Sequence, residues 1–322
     1  MDSVKYMIGI DLGGTKIAAG VVDSTGRIVS KYTVPTNPRR HYSEIIADMA
    51  FAAEKACSIS GMSTALMEGI GIGSPGSVDS ENGVIIYTNN INFDNTPMRE
   101  EMRKHIDLPV YISNDANCAA LGETADTGAA SGFQNVILIT LGTGLGGGII
   151  INGRVYEGEY GAGAELGHTV ISVDGPLCTC GRKGCWECYS SATGLIRMTV
   201  EALEKNKNTL MWEMTGRDIT RVSGRTAFDA SREGDALALK VVYEYIRYLA
   251  EGVINMINVF RPEIFLIGGG ICNEGDYLFN PLREFVAKSI YGGDRIPMPK
   301  IMKAKLGNEA GIIGAAMLVI KR

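Results

Sequence analysis

The stretch Ile8-Gly-Ile-Asp11-Leu-Gly-Gly-Thr-Lys16-Ile-Ala-Ala-Gly-Val-Val22 consists of an apolar run, a glycine-centred turn and a second apolar run. This order predicts a β-hairpin. The glycines at the turn, Gly13 and Gly14, allow backbone N–H groups to point at an anion. Thr15 and Lys16 add a hydroxyl and a cation. The turn is therefore a candidate phosphate site, although a plain structural glycine turn would give the same pattern.

A second copy of this pattern is found in Ile137-Leu-Ile-Thr140-Leu-Gly-Thr-Gly-Leu-Gly-Gly-Gly-Ile-Ile150. Strand aligns with strand and turn with turn, and Asp11 aligns with Thr140. Both copies continue into a Gly-Arg-apolar step, at Gly26 and at Gly153. The repeat indicates two similar domains, each opening with a hairpin whose glycine turn faces a shared cleft. Such a cleft would hold a polyphosphate from both sides.

Hydrophobic spacing predicts helices at Tyr42–Ser60 and Gly234–Phe260. A Gly/Ala-rich helix is predicted within Leu306–Met317, and its small residues allow close crossing with a helix that contains Ala119–Gly122. We expect these two helices to connect the domains and to form the hinge of the cleft.

Polar side chains follow the predicted strand Pro109–Ser113, which stops at Asn114 and Asp115. A carboxylate at a strand-to-helix junction lies at the open end of the sheet, where ligand sites of α/β proteins occur. Asp115 is therefore a candidate general base, with the helix N-cap as the alternative role. The amide-rich loop around Asn89 can donate and accept hydrogen bonds, as a ligand with many hydroxyls requires, but asparagines are also ordinary turn formers.

A short segment without helical or strand periodicity contains Glu165-Leu-Gly-His168 and Cys178-Thr-Cys180-Gly-Arg-Lys-Gly-Cys185-Trp-Glu187. Three thiolates and one neutral imidazole satisfy the four tetrahedral positions of a closed Zn2+ site. Gly181 and Gly184 supply tight turns that let the thiols converge. The alternatives are that these cysteines are small buried hydrophobes, and that Cys188 competes as a ligand. The predicted zinc ligands are His168, Cys178, Cys180 and Cys185.

The composition sets limits on the class of protein. A chain of 322 residues suggests about two domains. A net charge of -5 without a basic run argues against a nucleic-acid partner. We find neither a signal-peptide core nor a membrane span, and the seven cysteines suit a metal in a reducing compartment better than a disulfide framework. These observations predict a cytoplasmic protein.

Together, these motifs resemble the ROK family, within the sugar-kinase, actin and Hsp70 superfold. The resemblance covers essentially the whole chain and includes Gly268–Gly270, three glycines after the predicted strand Glu263–Ile267. Within the family the chain is most similar to the bacterial ATP-dependent glucokinases, because of the Thr88–Phe93 loop and the Leu210–Phe228 insertion.

The resemblance implies an α/β, two-domain actin-like or ribonuclease H-like ATPase fold with a cleft between the domains. The small domain would comprise 1–116 plus 307–322, and the large domain, 117–306, would carry the zinc site. The resemblance also implies a homo-oligomer, a dimer or a tetramer, and no membrane partner.

The implied reaction is phosphoryl transfer from ATP to the 6-hydroxyl of a hexose, with glucose as the first candidate. Asp115 would take or orient the hydroxyl proton, and Asp11 would lie near Mg2+ bound with ATP. The implied sugar contacts are Asn89, Asn114, Asp115, Glu165, His168 and Glu187. The implied ATP contacts are Asp11, Gly13, Gly14, Thr15, Lys16, Thr140, Gly142, Thr143, Gly144, Gly268, Gly269 and Gly270.

Two alternatives stay open. Within enzymes, the chain could act on another hexose: N-acetylmannosamine, N-acetylglucosamine, fructose or allose. In a different class, the family includes sugar-responsive transcriptional regulators, which carry an N-terminal helix-turn-helix. Only Met1–Met7 precede the first phosphate motif, and the net charge is negative, so the sequence favours the enzyme.

Overall fold

A computed structural model describes residues 4–321 and shows a mixed α/β protein. The strands are β1 Tyr6–Leu12, β2 Lys16–Asp23, β3 Ile28–Pro35, β4 Ile70–Ser74, β5 Ser77–Asp79, β6 Val84–Tyr87, β7 Asp94–Thr96, β8 Val110–Asn114, β9 Val136–Leu141, β10 Leu145–Ile151, β11 Arg154–Val155, β12 Ile264–Gly268 and β13 Lys300–Lys303. The helices are α1 Tyr42–Ile59, α2 Met98–Arg103, α3 Asp115–Glu123, α4 Glu187–Ser190, α5 Ala192–Lys205, α6 Leu210–Met214, α7 Thr226–Arg232, α8 Ala236–Phe260, α9 Asp276–Ser289 and α10 Ala310–Met317.

The first sheet has the strand order β3-β2-β1-β4-β8. β1 and β2 form the predicted antiparallel hairpin, with Asp11 opposite Ala18. β4 runs parallel to both β1 and β8. Because parallel strands end at the same edge of a sheet, Asp11 near the end of β1 and Asn114 at the end of β8 lie at one edge.

The second glycine-rich repeat forms the corresponding part of another sheet. Its order is β11-β10-β9-β12-β13, so β9 and β10 are neighbours as β1 and β2 are. β12 and β13 run parallel, and Ile264 is opposite Lys300. A small antiparallel sheet, β5-β6-β7, follows β4 in the chain.

The described residues divide into two compact units. Unit 1 comprises the described residues of Met1–Leu138, Gly147–Ala164 and Ala304–Arg322, and unit 2 comprises Ile139–Gly146 and Glu165–Lys303. Each unit therefore takes one end of β9 and of β10. The division predicted from the sequence, 1–116 plus 307–322 against 117–306, has other bounds and stays a proposal.

Backbone-to-backbone contact holds α10 in unit 1. A Cβ atom added at Gly314 would overlap the carbonyl oxygen of Cys118 on α3, and one at Gly122 would overlap that of Ala310. A Cβ at Gly71 on β4 would likewise overlap the backbone of α10. The predicted close crossing of these two small-residue helices is confirmed, whereas their role as a hinge stays a prediction.

The long helices follow their hydrophobic periodicity. α1 and α8 lie within the predicted Tyr42–Ser60 and Gly234–Phe260 segments, and each buries one apolar face. α10 is shorter than predicted, because a 3-10 turn at Gly307–Glu309 precedes it. α9 and β13 lie in a stretch for which the sequence made no prediction. Across residues 4–321, no helix combines the length and the hydrophobicity needed to cross a membrane.

We expect Gly314→Ala to lower the free energy of unfolding by about 2 kcal/mol or more, measured by urea denaturation. Helix propensity alone would make the alanine variant more stable by about 1 kcal/mol. A loss of stability would therefore come from the clash of the added Cβ with the carbonyl oxygen of Cys118. Gly224→Ala is the matched control, because within residues 4–321 no atom outside its two chain neighbours lies within 4 Å of the added Cβ. Equal stabilities for the two variants would contradict this packing.

Candidate active site and metal centre

The first glycine turn joins β1 to β2 in unit 1 and is closed by backbone hydrogen bonds. The N–H of Gly13 donates to the carbonyl oxygen of Lys16 at 2.9 Å. Thr36 is a buried residue that the sequence analysis did not single out. Its Oγ1 donates to the carbonyl oxygen of Gly13 at 2.6 Å, and its N–H donates to the carbonyl oxygen of Thr15 at 3.1 Å. The side chains of Thr15 and Lys16 are exposed. The turn is therefore rigid in its backbone and presents a hydroxyl and a cation to solvent.

Asp11 is half-buried on β1 and lies against α10. A Cβ atom added at Gly311 would lie 2.7 Å from its Cγ, so the glycine makes room for the carboxylate. Burial and then the negative charge of Asp115 raise the pKa of Asp11 to about 6, although Lys16 acts to lower it. Two neighbouring carboxylates that repel each other suit a divalent cation, and carboxylate oxygens are ligands that Mg2+ prefers.

Asp115 is the first residue of α3, and the N-cap is Asn114. Oδ1 of Asn114 accepts from the N–H groups of Ala116 at 2.9 Å and Asn117 at 3.4 Å. Asn114 is therefore the N-cap, and Oδ1 of Asp115 shares the Ala116 N–H with it at 2.8 Å. Burial raises the pKa of Asp115 against the lowering effect of a hydrogen bond from the Ala116 N–H. A half-buried carboxylate with a raised pKa is suited to accept a proton.

The predicted amides of unit 1 have different environments. Asn114 uses Nδ2 to donate to the carbonyl oxygen of Gly76 at 3.1 Å, and its second Nδ2 hydrogen permits one further bond. Asn89 is exposed and accepts from the hydroxyl of Tyr87 at 2.7 Å. The next residue, Asn90, lies beside the first glycine turn, since a Cβ at Gly14 would be 2.9 Å from its Nδ2.

The two glycine segments of unit 2 touch each other. The turn after β9 is closed by the Gly142 N–H, which donates to the carbonyl oxygen of Gly144 at 3.0 Å. The Ala192 N–H at the start of α5 donates to the Gly142 carbonyl oxygen at 2.9 Å. Gly269, with φ of 98°, lies so close to Leu141 that an added Cβ would overlap its carbonyl oxygen. Unit 2 therefore brings together two of the three segments predicted to bind ATP.

The four predicted zinc ligands converge in unit 2. One ligand atom from each of His168, Cys178, Cys180 and Cys185 lies within 4.8 Å of the others. The Sγ atoms of Cys180 and Cys185 are 3.6 Å apart, and Sγ of Cys178 is 3.6 Å from Nδ1 of His168. Ligand atoms about 2.3 Å from a tetrahedral zinc ion would be about 3.7 Å apart, so the donor set and its spacing fit Zn2+. Cys188 is not part of this cluster.

Glu187 connects the cysteine cluster to the second glycine turn. Its Oε2 accepts from the Leu145 N–H at 2.9 Å, and its Oε1 lies 3.7 Å from Sγ of Cys178. A cavity of about 350 Å³ borders these groups; its lining includes Thr143, Gly144, Cys178 and Glu187.

Packing on α8 fixes the helix that carries Glu187. Trp186 is fully buried, and its ring occupies the space where a Cβ at Gly252 of α8 would be. The hydroxyl of Tyr245, also on α8, donates to the carbonyl oxygen of Ser190 at 2.7 Å. The position of Glu187 therefore depends on the core of unit 2 as well as on the cysteines.

The predicted site residues fall in both units. Unit 1 contains Asp11, Gly13, Gly14, Thr15, Lys16, Asn89, Asn114 and Asp115. Unit 2 contains Thr140, Gly142, Thr143, Gly144, Glu165, His168, Cys178, Cys180, Cys185, Glu187, Gly268, Gly269 and Gly270. Their assignment to sugar, ATP and metal stays a proposal.

Comparison with known proteins identifies the family. Residues 7–322 match the pattern that defines the ROK family. The chain belongs to the ROK family. The glucokinase of Thermotoga maritima is 37% identical over 317 residues, which are 98% of this chain and 98% of that protein. The xylose repressor of Bacillus spizizenii is 30% identical over 322 residues, which are 98% of this chain and 77% of the repressor.

A solved structure supports the same fold. The crystal structure of a ROK family glucokinase from Streptomyces griseus, in complex with glucose and AMPPNP, has a TM-score of 0.78 to this chain. It is 36% identical, and the match covers 97% of this chain and 98% of that one. The predicted family and its two-domain actin-like α/β fold class are confirmed.

We expect the protein purified under reducing conditions to contain about one equivalent of zinc, measured by atomic emission. Cys180→Ala should lose most of it, because three ligands remain of the four. Cys188→Ala is the matched control and should retain the metal. Less than about half an equivalent in the wild type, or loss of metal on removal of Cys188 alone, would contradict the site.

We expect Asp11→Asn to raise the free energy of unfolding at pH 7 by about 1 kcal/mol in Mg2+-free buffer. The pKa of Asp11, about 6, exceeds its ordinary value of 3.8, so the folded state bears the cost of a charged, half-buried carboxylate above pH 6. That cost disappears as the pH falls through 6 towards 4. The gain should therefore shrink over this range in denaturation measured at several pH values.

Asp23→Asn is a control with the opposite sign. Burial acts to raise the pKa of Asp23, but hydrogen bonds from Thr25 and Arg27 outweigh it and lower the pKa below 3.8. Its charged form therefore stabilises the folded state at pH 7, and asparagine should reduce stability there. Equal responses at the two positions would contradict the assignment for Asp11.

Proposed function

We propose that this protein catalyses ATP-dependent phosphorylation of glucose at the 6-hydroxyl. The observation that carries the proposal is Asp115, a half-buried carboxylate with a raised pKa at the start of α3, where Asn114 is the N-cap. Its position beside a second carboxylate, Asp11, and in a chain 37% identical to a glucokinase supports a phosphoryl-transfer site.

In this proposal Asp115 accepts or orients the proton of the attacking hydroxyl. Mg2+, held through Asp11, would neutralise charge on the phosphates of ATP. Phosphoryl transfer depends mainly on positioning and on charge neutralisation. The rigid first glycine turn, with the exposed hydroxyl of Thr15 and ammonium of Lys16, has the chemistry for the phosphate contacts.

The other roles follow residue by residue from the family resemblance. Asn89, Asn114, Glu165, His168 and Glu187 bind sugar hydroxyls, and the glycine segments of unit 2 with Thr140 and Thr143 bind ATP. The zinc would be structural. The distance of 3.6 Å between Nδ1 of His168 and Sγ of Cys178 supports Nδ1 as the metal ligand, and Nε2 would then be free for a hydrogen bond to the sugar.

Two other functions are outcomes of the same test. Another hexose, N-acetylmannosamine, N-acetylglucosamine, fructose or allose, would use the same chemistry. A sugar-responsive regulator is supported by the 30% identity to the xylose repressor. The cytoplasmic location, the absence of nucleic-acid and membrane partners and the homo-oligomeric state stay predictions.

The test is ADP release from ATP and Mg2+ with a panel of hexoses, for the wild type and for Asp115→Asn. We expect glucose to be phosphorylated, and the variant to retain less than about a tenth of the turnover while it still binds glucose in calorimetry. Asparagine keeps the shape of the side chain but is not a base.

Asp107→Asn is the control, since that carboxylate is 92% exposed and should not affect turnover. If only an acetamido sugar is phosphorylated, that sugar and not glucose is the substrate. Sugar binding without any phosphorylation would favour the regulator. Turnover above a tenth in Asp115→Asn would remove its role as a base.

A further inference from the structure

We infer that Glu157 is a positioning residue for the hexose site, an inference that rests on the proposed function. Glu157 lies two residues after β11 in unit 1 and is half-buried. Its Oε1 accepts a short hydrogen bond from the hydroxyl of Ser113, and its Oε2 accepts one from the hydroxyl of Ser80. One carboxylate thus joins two segments that are far from it in sequence.

The first of these segments delivers the candidate base. Ser113 is fully buried in β8 and immediately precedes Asn114 and Asp115. A buried hydroxyl without a partner is costly, and a bond to a carboxylate is stronger than one to a neutral acceptor. The bond to Glu157 therefore fixes the end of β8 at the point where the chain turns into α3.

The second segment leads to the amide loop. Ser80 directly follows β5, and β5 pairs with β6 through Val78 and Ile85. β6 ends at Tyr87, whose hydroxyl donates to Asn89. The bond from Ser80 to Glu157 therefore fixes the small sheet that presents the predicted sugar-binding asparagine.

The third segment begins at Glu157 itself and runs to Ala164 within unit 1. Two of its non-glycine residues, Tyr160 and Ala164, have φ of 55° and 62°. Such conformations persist only where surrounding contacts enforce them. Gly161, with φ of 63°, lies so close to β5 that an added Cβ would overlap the carbonyl oxygen of Val78. The carboxylate of Glu157 holds the beginning of this strained segment.

Glu157 therefore links the segments of unit 1 that carry Asp115 and Asn89, both proposed to act on the hexose. The two serines that donate to it, Ser80 and Ser113, are not among the residues proposed to bind ATP. Its loss should disturb the hexose more than the nucleotide. We expect Glu157→Ala to raise the KM for the hexose about tenfold and to change the KM for ATP less than twofold.

Glu157→Gln should restore much of the hexose affinity, because its amide can still bond both serine hydroxyls. The matched control is Glu123→Gln at the other end of α3. Glu123 is fully buried and accepts from the N–H groups of Ala129, Lys305 and Leu306 at 2.8, 2.8 and 2.7 Å. The Glu123→Gln variant should have a lower melting temperature than the wild type. Its ratio of the KM for the hexose to the KM for ATP should stay within twofold of the wild-type ratio.

A folded Glu157→Ala with wild-type KM for the hexose, or with both KM values raised equally, would overturn the inference. If that variant does not fold, Ser80→Ala tests the inference, because it removes one of the two hydrogen bonds of Glu157. We expect it to raise the KM for the hexose at least threefold. An unchanged KM would overturn the positioning role of Glu157. If the wild type binds a hexose in calorimetry but phosphorylates none, the proposed function fails. The hexose dissociation constant of Glu157→Ala, compared with that of the wild type, then still tests the role of Glu157. If the wild type binds no hexose, both are wrong.

Discussion

Close packing of α10 against β1, β4 and α3 is the contact on which the carboxylate site of unit 1 depends. Glycines at the crossing points, Gly9, Gly71 and Gly314 among them, allow backbone to touch backbone, because an added Cβ at each would overlap a carbonyl oxygen. The same approach puts Gly311 against the carboxylate of Asp11. Backbone atoms in regular elements adjust less than side chains do, so the fold itself fixes where Asp11 and Asp115 lie.

This arrangement has an electrostatic cost that function can use. Burial raises the pKa of both carboxylates, and Asp11 is raised further by the charge of Asp115. A pair of this kind is less stable when both groups are charged, and it is relieved by a divalent cation or by a proton. Those are the two species that a phosphoryl-transfer site must handle. The raised pKa values of these two carboxylates are therefore consistent with the proposed chemistry.

Local patterns could be read from the sequence, and long-range polar partners could not. The glycine hairpin, the long helices and the cysteine cluster each lie within one continuous stretch of the chain, and the structure forms each of them. Thr36 donates to Gly13 across 23 positions, and Glu157 reaches Ser80 and Ser113 across 77 and 44. Threonine, serine and glutamate are common on any surface, so nothing in their neighbourhood marked them.

The choice between Asn114 and Asp115 as the cap of α3 shows the same limit at one residue. Both side chains cap helices well, and only the start of α3 decides which oxygen reaches the free N–H groups. If the helix began one residue later, Asp115 would be the N-cap, with a structural role, and Asn114 would lie before the helix. The chemistry proposed for this site thus depends on a boundary that sequence patterns define least well.

Unit 2 positions its carboxylate by other means. The indole ring of Trp186, which precedes Glu187, packs against Gly252, and the hydroxyl of Tyr245 donates to the carbonyl oxygen of Ser190. These contacts hold α4 against the hydrophobic core independently of the cysteines. The segment before it, residues 165–186, contains a 3-10 turn at Leu166–His168 and two isolated β-bridges, and a metal would add a further constraint to it. Loss of the metal should then release His168 and its neighbours more than Glu187. A metal bound by the cysteine cluster would therefore organise the segment that carries His168, whereas α4 is also held by the hydrophobic core.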